Sequence, residues 1–393
     1  MFRKDFPLLN SDLIYLDSAA SAQKPAMVLR AMDTFYRTDY SNVHRGTCHL
    51  ANAATTAYEQ AREVIATFLN TKPANIVFTK GATESLNLVA SGYAKTLKPG
   101  DEVLVSIAEH HANFVPWQQA CLSSGATFKV FNVLPDGRWN LDDFRAKLTD
   151  KTRVVAVSIM SNVLGVVNPI QKMIADAHKK GAKVVLDAAQ SVAHIPTDVQ
   201  QLDCDFLAFS GHKLYGPTGI GVLYGKTKDL ENLPPYQFGG EMIEKVSVAK
   251  TTFAPVPARF EAGTPPVVEA IGLAKAVEYI ENVGFDSLQK HEQDLFDYLI
   301  GKLQKIQGIR FVGDPVYKTG LLCFNVDGIH PNDLTTILSK ENVCVRVGHH
   351  CAMPLHEFLG ITASLRVSLG IYNTKQDVDD FVLALNKAIG FFR

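Results

Sequence analysis

Cysteine is scarce and scattered in this chain: six residues, Cys48, Cys121, Cys204, Cys323, Cys344 and Cys351, among 393. Disulfide scaffolds crowd their cysteines into short chains, so this spacing excludes that class and points to reduced thiols. No stretch approaches the ~20 apolar residues of a membrane span. The segment Met1 to Leu9 interrupts its apolar residues with Arg3, Lys4 and Asp5, unlike a secretory signal. Excess charge is missing too. Lys and Arg number 39 against 40 Asp and Glu, a formal charge of −1, which gives no electrostatic reason to expect nucleic acid or an anionic membrane as partner. Internal repeats and low-complexity tracts are absent. What remains is 47% apolar composition, enough for one large and one smaller domain, with a small molecule as the expected ligand and the cytoplasm as the expected location.

Short β-branched runs recur at Asn75–Thr79, Glu102–Ser106, Thr127–Phe131, Arg153–Ser158, Lys183–Asp187, Asp205–Ser210 and Gly219–Tyr224. Helical patterns separate most of them, which predicts an α/β fold around a sheet of about seven strands. Apolar residues from Asn52 to Asn70 keep helical spacing and predict a helix packed on that sheet. A Pro/Gly-rich stretch, Leu233 to Pro266, interrupts the alternation, and one long helical pattern follows from Val267 to about Leu303. Beyond it the patterns predict strands at Leu321–Val326, Val343–Val347 and Leu365–Ser368, and helices from Asn332 and from Lys375. The expected organisation is a large domain over residues 20–265 and a small α+β domain formed by 1–19 and 266–393.

Chemistry concentrates first around Lys213. In Phe209-Ser210-Gly211-His212-Lys213-Leu214-Tyr215-Gly216-Pro217 a strand ends in small residues, and Gly and Pro keep the chain from becoming helix, which exposes one amine at a sheet edge. Partly desolvated beside His212, such a lysine can serve as a Schiff-base nucleophile, because burial frees the neutral amine. A lone loop lysine is ordinarily just solvated. Two further features shift that balance. Strand Lys183–Asp187 ends in Asp187, with Gln190 just beyond, and an acid at a strand's carboxyl end can point into the sheet crevice. In pyridoxal-phosphate chemistry an Asp there keeps the ring nitrogen protonated; its plain alternative is a helix N-cap. In Phe78-Thr79-Lys80-Gly81-Ala82-Thr83-Glu84-Ser85 a strand meets a glycine turn and then a helix, whose first amides and the Thr83 hydroxyl suit a phosphate. His110 and His111 follow strand Glu102–Ser106 and could supply a ring that stacks on the cofactor, although histidine pairs are common in loops.

A second centre is Cys351, in a loop behind Gly348, His349 and His350 and ahead of Pro354. Flanking imidazoles are expected to favour its thiolate through positive charge. Cys344, His349, His350 and Cys351 are all potential metal ligands, but their spacing matches no paired-ligand signature and Cys344 falls inside an expected strand, so no metal site is predicted. A buried, inert Cys351 is the bland alternative. Arg366 stands alone among apolar neighbours in Ser364-Leu365-Arg366-Val367-Ser368, and bidentate recognition of a carboxylate is a natural use for it.

These residues resemble class V, fold-type-I pyridoxal-phosphate enzymes. The resemblance is carried by Lys213 in Ser-Gly-His-Lys-Leu-Tyr-Gly-Pro-Thr-Gly, by Asp187-Ala188-Ala189-Gln190 and by Glu109-His110-His111-Ala112-Asn113. Tyr15-Leu16-Asp17-Ser18-Ala19-Ala20, Arg259-Phe260-Glu261-Ala262-Gly263-Thr264-Pro265 and Arg346-Val347-Gly348-His349-His350-Cys351-Ala352 narrow it to group II cysteine desulfurases of the SufS type, over nearly the whole chain. It implies a mostly parallel sheet in the large domain, with pyridoxal 5'-phosphate bound to Lys213. Asp187 then pairs with the ring nitrogen, Gln190 bonds the ring oxygen and His110 stacks on the ring. Thr83, Ser210 and His212 hold the phosphate, and the Thr264 region comes from the second subunit of a homodimer. Asn162 and Arg366 take the substrate carboxylate, and Cys351 takes sulfur from L-cysteine to give alanine and a persulfide. A small sulfur-acceptor protein serving iron–sulfur cluster assembly is the implied partner. Two positions depart from the pattern: Val347 and Ala82 each stand where threonine is expected, so at Ala82 only a backbone amide is left for the phosphate.

Alternatives stay open at this level. A class V aminotransferase would not need Cys351. A selenocysteine lyase would use the same cofactor, Arg366 and proton shuttle, and sequence does not separate it. A non-catalytic scaffold would tolerate loss of the lysine, aspartate or cysteine, all of which are present.

Overall fold

A computed structural model describes residues 2–393; Met1, the first residue of the segment expected to join the small domain, lies outside the described residues. The dominant element is a seven-stranded sheet in the order Ile76–Thr79, Gly221–Gly225, Phe206–Ser210, Lys183–Asp187, Thr152–Ser158, Glu102–Ser106, Thr127–Phe131. Neighbours run parallel throughout except Gly221–Gly225, which is antiparallel to both strands beside it. Four central strands are buried along almost their whole length, as the continuous apolar runs require when helices cover both faces. One face packs against His49–Phe68 and Val267–Val283, the other against Ala82–Ala94 and His111–Ser124. The carboxyl ends of the parallel strands therefore open on one side of the sheet.

The C-terminal part builds a four-stranded antiparallel sheet in the order Ile309–Phe311, Leu321–Val326, Ser364–Ser368, Arg346–Gly348. Its own core joins Phe296 and Leu299 of helix Phe285–Leu303, Leu334 and Leu338 of helix Pro331–Lys340, and Phe381 and Leu385 of helix Lys375–Phe392. Ile14 and Leu16 belong to this core. They arrive there because Ile14–Tyr15 pairs in parallel with Val343–Cys344.

Three local expectations need correction. The helical pattern from Val267 to Leu303 is two helices, because Gly284 at φ 77° takes the left-handed conformation that glycine adopts without steric cost. The expected strand Val343–Val347 is divided: Val343–Cys344 pairs with the N-terminal strand, whereas Arg346–Gly348 joins the four-stranded sheet. The Pro/Gly-rich stretch carries an antiparallel hairpin, Ile243–Val246 with Thr251–Phe253. Among the described residues no helix is long and apolar enough to cross a membrane.

Candidate active site

A cavity lies at the carboxyl ends of the central strands. Lys213, Asp187, Gln190, His110, Ala82, Thr83, Ser210, His212, Asn162, Arg366 and Cys351 all line it. Of the residues given a cofactor or substrate role by the resemblance, Thr264 does not; it is exposed, in the segment that follows the hairpin, and His111, Cys344 and His349 also lie outside the lining.

Lys213 ends the single 3-10 turn after strand Phe206–Ser210. Burial pulls its ammonium down to about 8; Asp187 opposes that shift and Arg366 adds to it. Asp187 ends its strand with the side chain buried. Its Oδ1 accepts from Ala189 N at 2.9 Å, and burial raises the carboxyl against the opposing effects of that bond and of Lys213. Its other oxygen makes no hydrogen bond among the described residues. Gln190 donates through Nε2 to Ala19 O at 2.9 Å. His110 caps helix His111–Ser124: its Nδ1 accepts from Ala112 N at 3.0 Å, so the neutral ring carries its proton on Nε2. Burial first, then Lys213, holds this imidazole uncharged to about 3.

Helix Ala82–Ala94 begins without a side-chain cap, and Ala82 N donates to Ser210 Oγ at 2.8 Å. The N-terminus can sit this close to the sheet because two glycines face each other. A Cβ on Gly221 would lie 2.3 Å from Gly81 Cα. The uncapped amides, Ser210 and His212 together form a cup for an anion.

On the opposite wall Arg366 is buried, with Nη1 donating to Asn162 O and Nη2 to Asp17 Oδ1, both at 3.1 Å. Burial weighs against its charge, and its Nε has no partner among the described residues. Arg346 stands directly across from it in the strand register and also lines the cavity. Like charges opposite one another are unfavourable unless an anion answers them. Asp17 answers in part. Asn162 Nδ2 donates to His350 O at 2.6 Å, so only the rest of that amide is open to a ligand.

Cys351 and His350 have consecutive left-handed conformations, φ 56° and 50°, in the loop ahead of helix Met353–Phe358, and Cys351 lines the cavity. The loop is tied to the start of helix His111–Ser124, where His111 N donates to Cys351 O at 2.7 Å. One expectation fails here. His350 cannot favour a thiolate by positive charge, because burial, with Arg366, keeps it neutral down to about 2. Cys351 lies near enough to Lys213 to oppose, in part, the downward pull that burial exerts on that ammonium. Among the described residues no group of three or more His, Cys, Asp or Glu side chains is placed to hold a metal ion.

Two contributors were passed over in the sequence. Arg346 opens the Arg-Val-Gly-His-His-Cys motif, but its register against Arg366 has no sequence signal. Glu109 is completely buried behind His110; it accepts from Asn113 Nδ2 at 2.7 Å and from Ser158 N at 3.0 Å. Burial pushes its carboxyl up to about 8. A glutamate ahead of a histidine in a loop gives no hint of that burial.

These residues fit pyridoxal phosphate: a buried acid with one uncommitted oxygen for a ring nitrogen, a neutral imidazole at the cavity wall, an anion cup, and an amine of reduced basicity for the aldehyde. The chain belongs to the aminotransferase class-V family, whose match spans residues 14–381. Within that class several similar proteins share one activity. A probable cysteine desulfurase of Halalkalibacterium halodurans is 44% identical over 99% of this chain and 98% of its own. Another from Staphylococcus epidermidis is 46% identical over 99% and 96%. Among solved structures, the Escherichia coli cysteine desulfurase CsdA superposes with a TM-score of 0.93 at 41% identity, covering 99% of this chain and 98% of that one. The apo cysteine desulfurase of Thermococcus onnurineus gives 0.95 at 38% identity, covering 99% and 97%.

Proposed function

We propose that this chain is a cysteine desulfurase in which Cys351 takes the sulfur of L-cysteine and L-alanine leaves. The observation that carries the reading is the meeting of Lys213, Arg366 and Cys351 in one cavity, although they come from three separate parts of the chain. Arg366, backed by Asp17, grips the substrate carboxylate. Lys213, whose amine is partly neutral near physiological pH, moves protons between substrate carbons. Pyridoxal phosphate, when bound, supplies the electron sink for those carbon centres. The Cys351 thiolate attacks the substrate sulfur: a sulfur–sulfur bond forms, the carbon–sulfur bond breaks with its electron pair kept on carbon, and carbon takes up a proton. Cysteine and the enzyme thiol thereby become alanine and the enzyme persulfide, with no other oxidant needed.

On this reading the protein works as a homodimer in the cytoplasm, with the Thr264 region of one copy serving the cavity of the other. The persulfide passes to a small acceptor protein for iron–sulfur cluster assembly. The test is Cys351→Ser. The variant is expected to keep the visible absorption of lysine-bound cofactor while losing persulfide and most alanine release from L-cysteine. Alanine release equal to that of the unaltered enzyme overturns the role of Cys351. Running the same assay with L-selenocysteine measures which amino acid the site prefers.

A further inference from the structure

Behind Cys351 lies a chain of hydrogen bonds whose direction can be read from its ends. His356 Nδ1 is 3.1 Å from Ala352 O, a carbonyl that can only accept, so His356 carries its proton on Nδ1. Its bare Nε2, 3.0 Å from Ser364 Oγ, accepts the serine proton. His350 Nε2 lies 3.0 Å from Ser364 O and 3.1 Å from Ser364 Oγ, so it is the donor there. Because the His350 ring is neutral, its Nδ1 is a bare acceptor. That atom is buried and has no partner among the described residues.

A second orphan lies close by with the opposite need. Arg366 Nε, a donor only, is likewise buried and unpartnered. Arg366 and Ser364 sit two residues apart on one strand, so their side chains share a face, and His350 is hydrogen-bonded to Ser364 on it. Asn162 joins the two residues from the other side, accepting from Arg366 Nη1 and donating to His350 O. A buried donor and a buried acceptor left unmade each carry a desolvation cost, which one shared bond removes.

We propose that His350 is the positioning residue for Arg366: its Nδ1 accepts a hydrogen bond from Arg366 Nε–H when a carboxylate draws the guanidinium into place. The carboxylate grip is thereby coupled to the residue immediately before Cys351. The proposal rests on the reading of Arg366 as carboxylate partner and of Cys351 as sulfur acceptor.

The experiment uses cofactor-loaded enzyme and follows the visible band on titration with L-alanine and with ethylamine, which lacks the carboxylate. His350→Ala is expected to raise the Kd for L-alanine about tenfold, one bond's worth, and to leave ethylamine unchanged. His350→Asn, whose Oδ1 stands where Nδ1 does and which tolerates the left-handed backbone, restores most of the alanine affinity. His350→Gln keeps only a donor toward Ser364 and does not restore it. In an Arg366→Lys background, His350→Ala adds no further loss. Equal alanine affinity in the enzyme with and without His350, equal losses for alanine and ethylamine, or full additivity with Arg366→Lys each overturn the proposal. Failure of the unaltered enzyme to bind alanine or cysteine would instead overturn the desulfurase reading beneath it.

Discussion

At the scale of single residues, the site works by withholding water from groups that ordinarily carry charge. The Lys213 amine is the clearest case, with a folded pKa of about 8 where 10.5 is ordinary. Only the neutral amine adds to an aldehyde, so the rate at which cofactor-free protein combines with pyridoxal phosphate is expected to rise with pH and level off just above 8. Stopped-flow absorbance measures it; a rate still climbing tenfold per unit between pH 9 and 10 contradicts the assignment. Lys213, Asp187 and Cys351 were legible in the sequence because each sits in a motif that carries the family resemblance, and the structure brings all three to one cavity. Glu109, Arg346 and the neutrality of His350 were not, because burial and strand register are properties of the folded neighbourhood.

Elements bring these groups together through close approaches that leave no spare room. Gly221 and Gly81 let the uncapped helix at Ala82 touch the sheet. Gly221→Ala is expected to lower stability by about 1–3 kcal/mol, as overpacking does, and to weaken pyridoxal-phosphate binding in proportion to the retreat of that helix. Thermal melting and cofactor titration check the two effects separately. The Pro/Gly-rich segment is anchored by Glu261, which accepts from Arg62 Nη1 and Nη2 at 2.7 and 2.9 Å and from Phe78 N at 2.7 Å. Arg62 is buried, and Glu261 holds its guanidinium well above the usual range despite that burial. Glu261→Gln leaves this buried charge with Glu59 as its remaining anionic partner and is expected to cost on the order of 3 kcal/mol, the low end for a broken buried pair; an unchanged denaturation midpoint would count against the anchor. Alternation of strand and helix made the sheet readable in advance. The break at Gly284 was not, because an isolated glycine in a helical pattern does not announce which of its two backbone conformations it will take.

Across the whole molecule, two cores meet at the cavity, and neither alone supplies what the reaction needs. The large sheet contributes Lys213, Asp187 and the anion cup, while the C-terminal sheet contributes Arg366 and Arg346. The carboxyl-end crevice was predictable from parallel strands alone. Residues 1–19 were expected beside the C-terminal part, but the pairings of that long return were not predictable: Ile14–Tyr15 pairs with Val343–Cys344, Asp17 meets Arg366, and Ala19 and Ala20 line the cavity.

That return imposes an order on birth as well as on shape. During synthesis the first strand emerges from the ribosome long before Val343–Cys344 or Arg366 exist, so it waits, unpaired, while the central sheet condenses behind it. A polypeptide released early can therefore assemble the lysine's surroundings and still lack a wall and its means of holding an amino acid. Only a finished chain can close on its substrate.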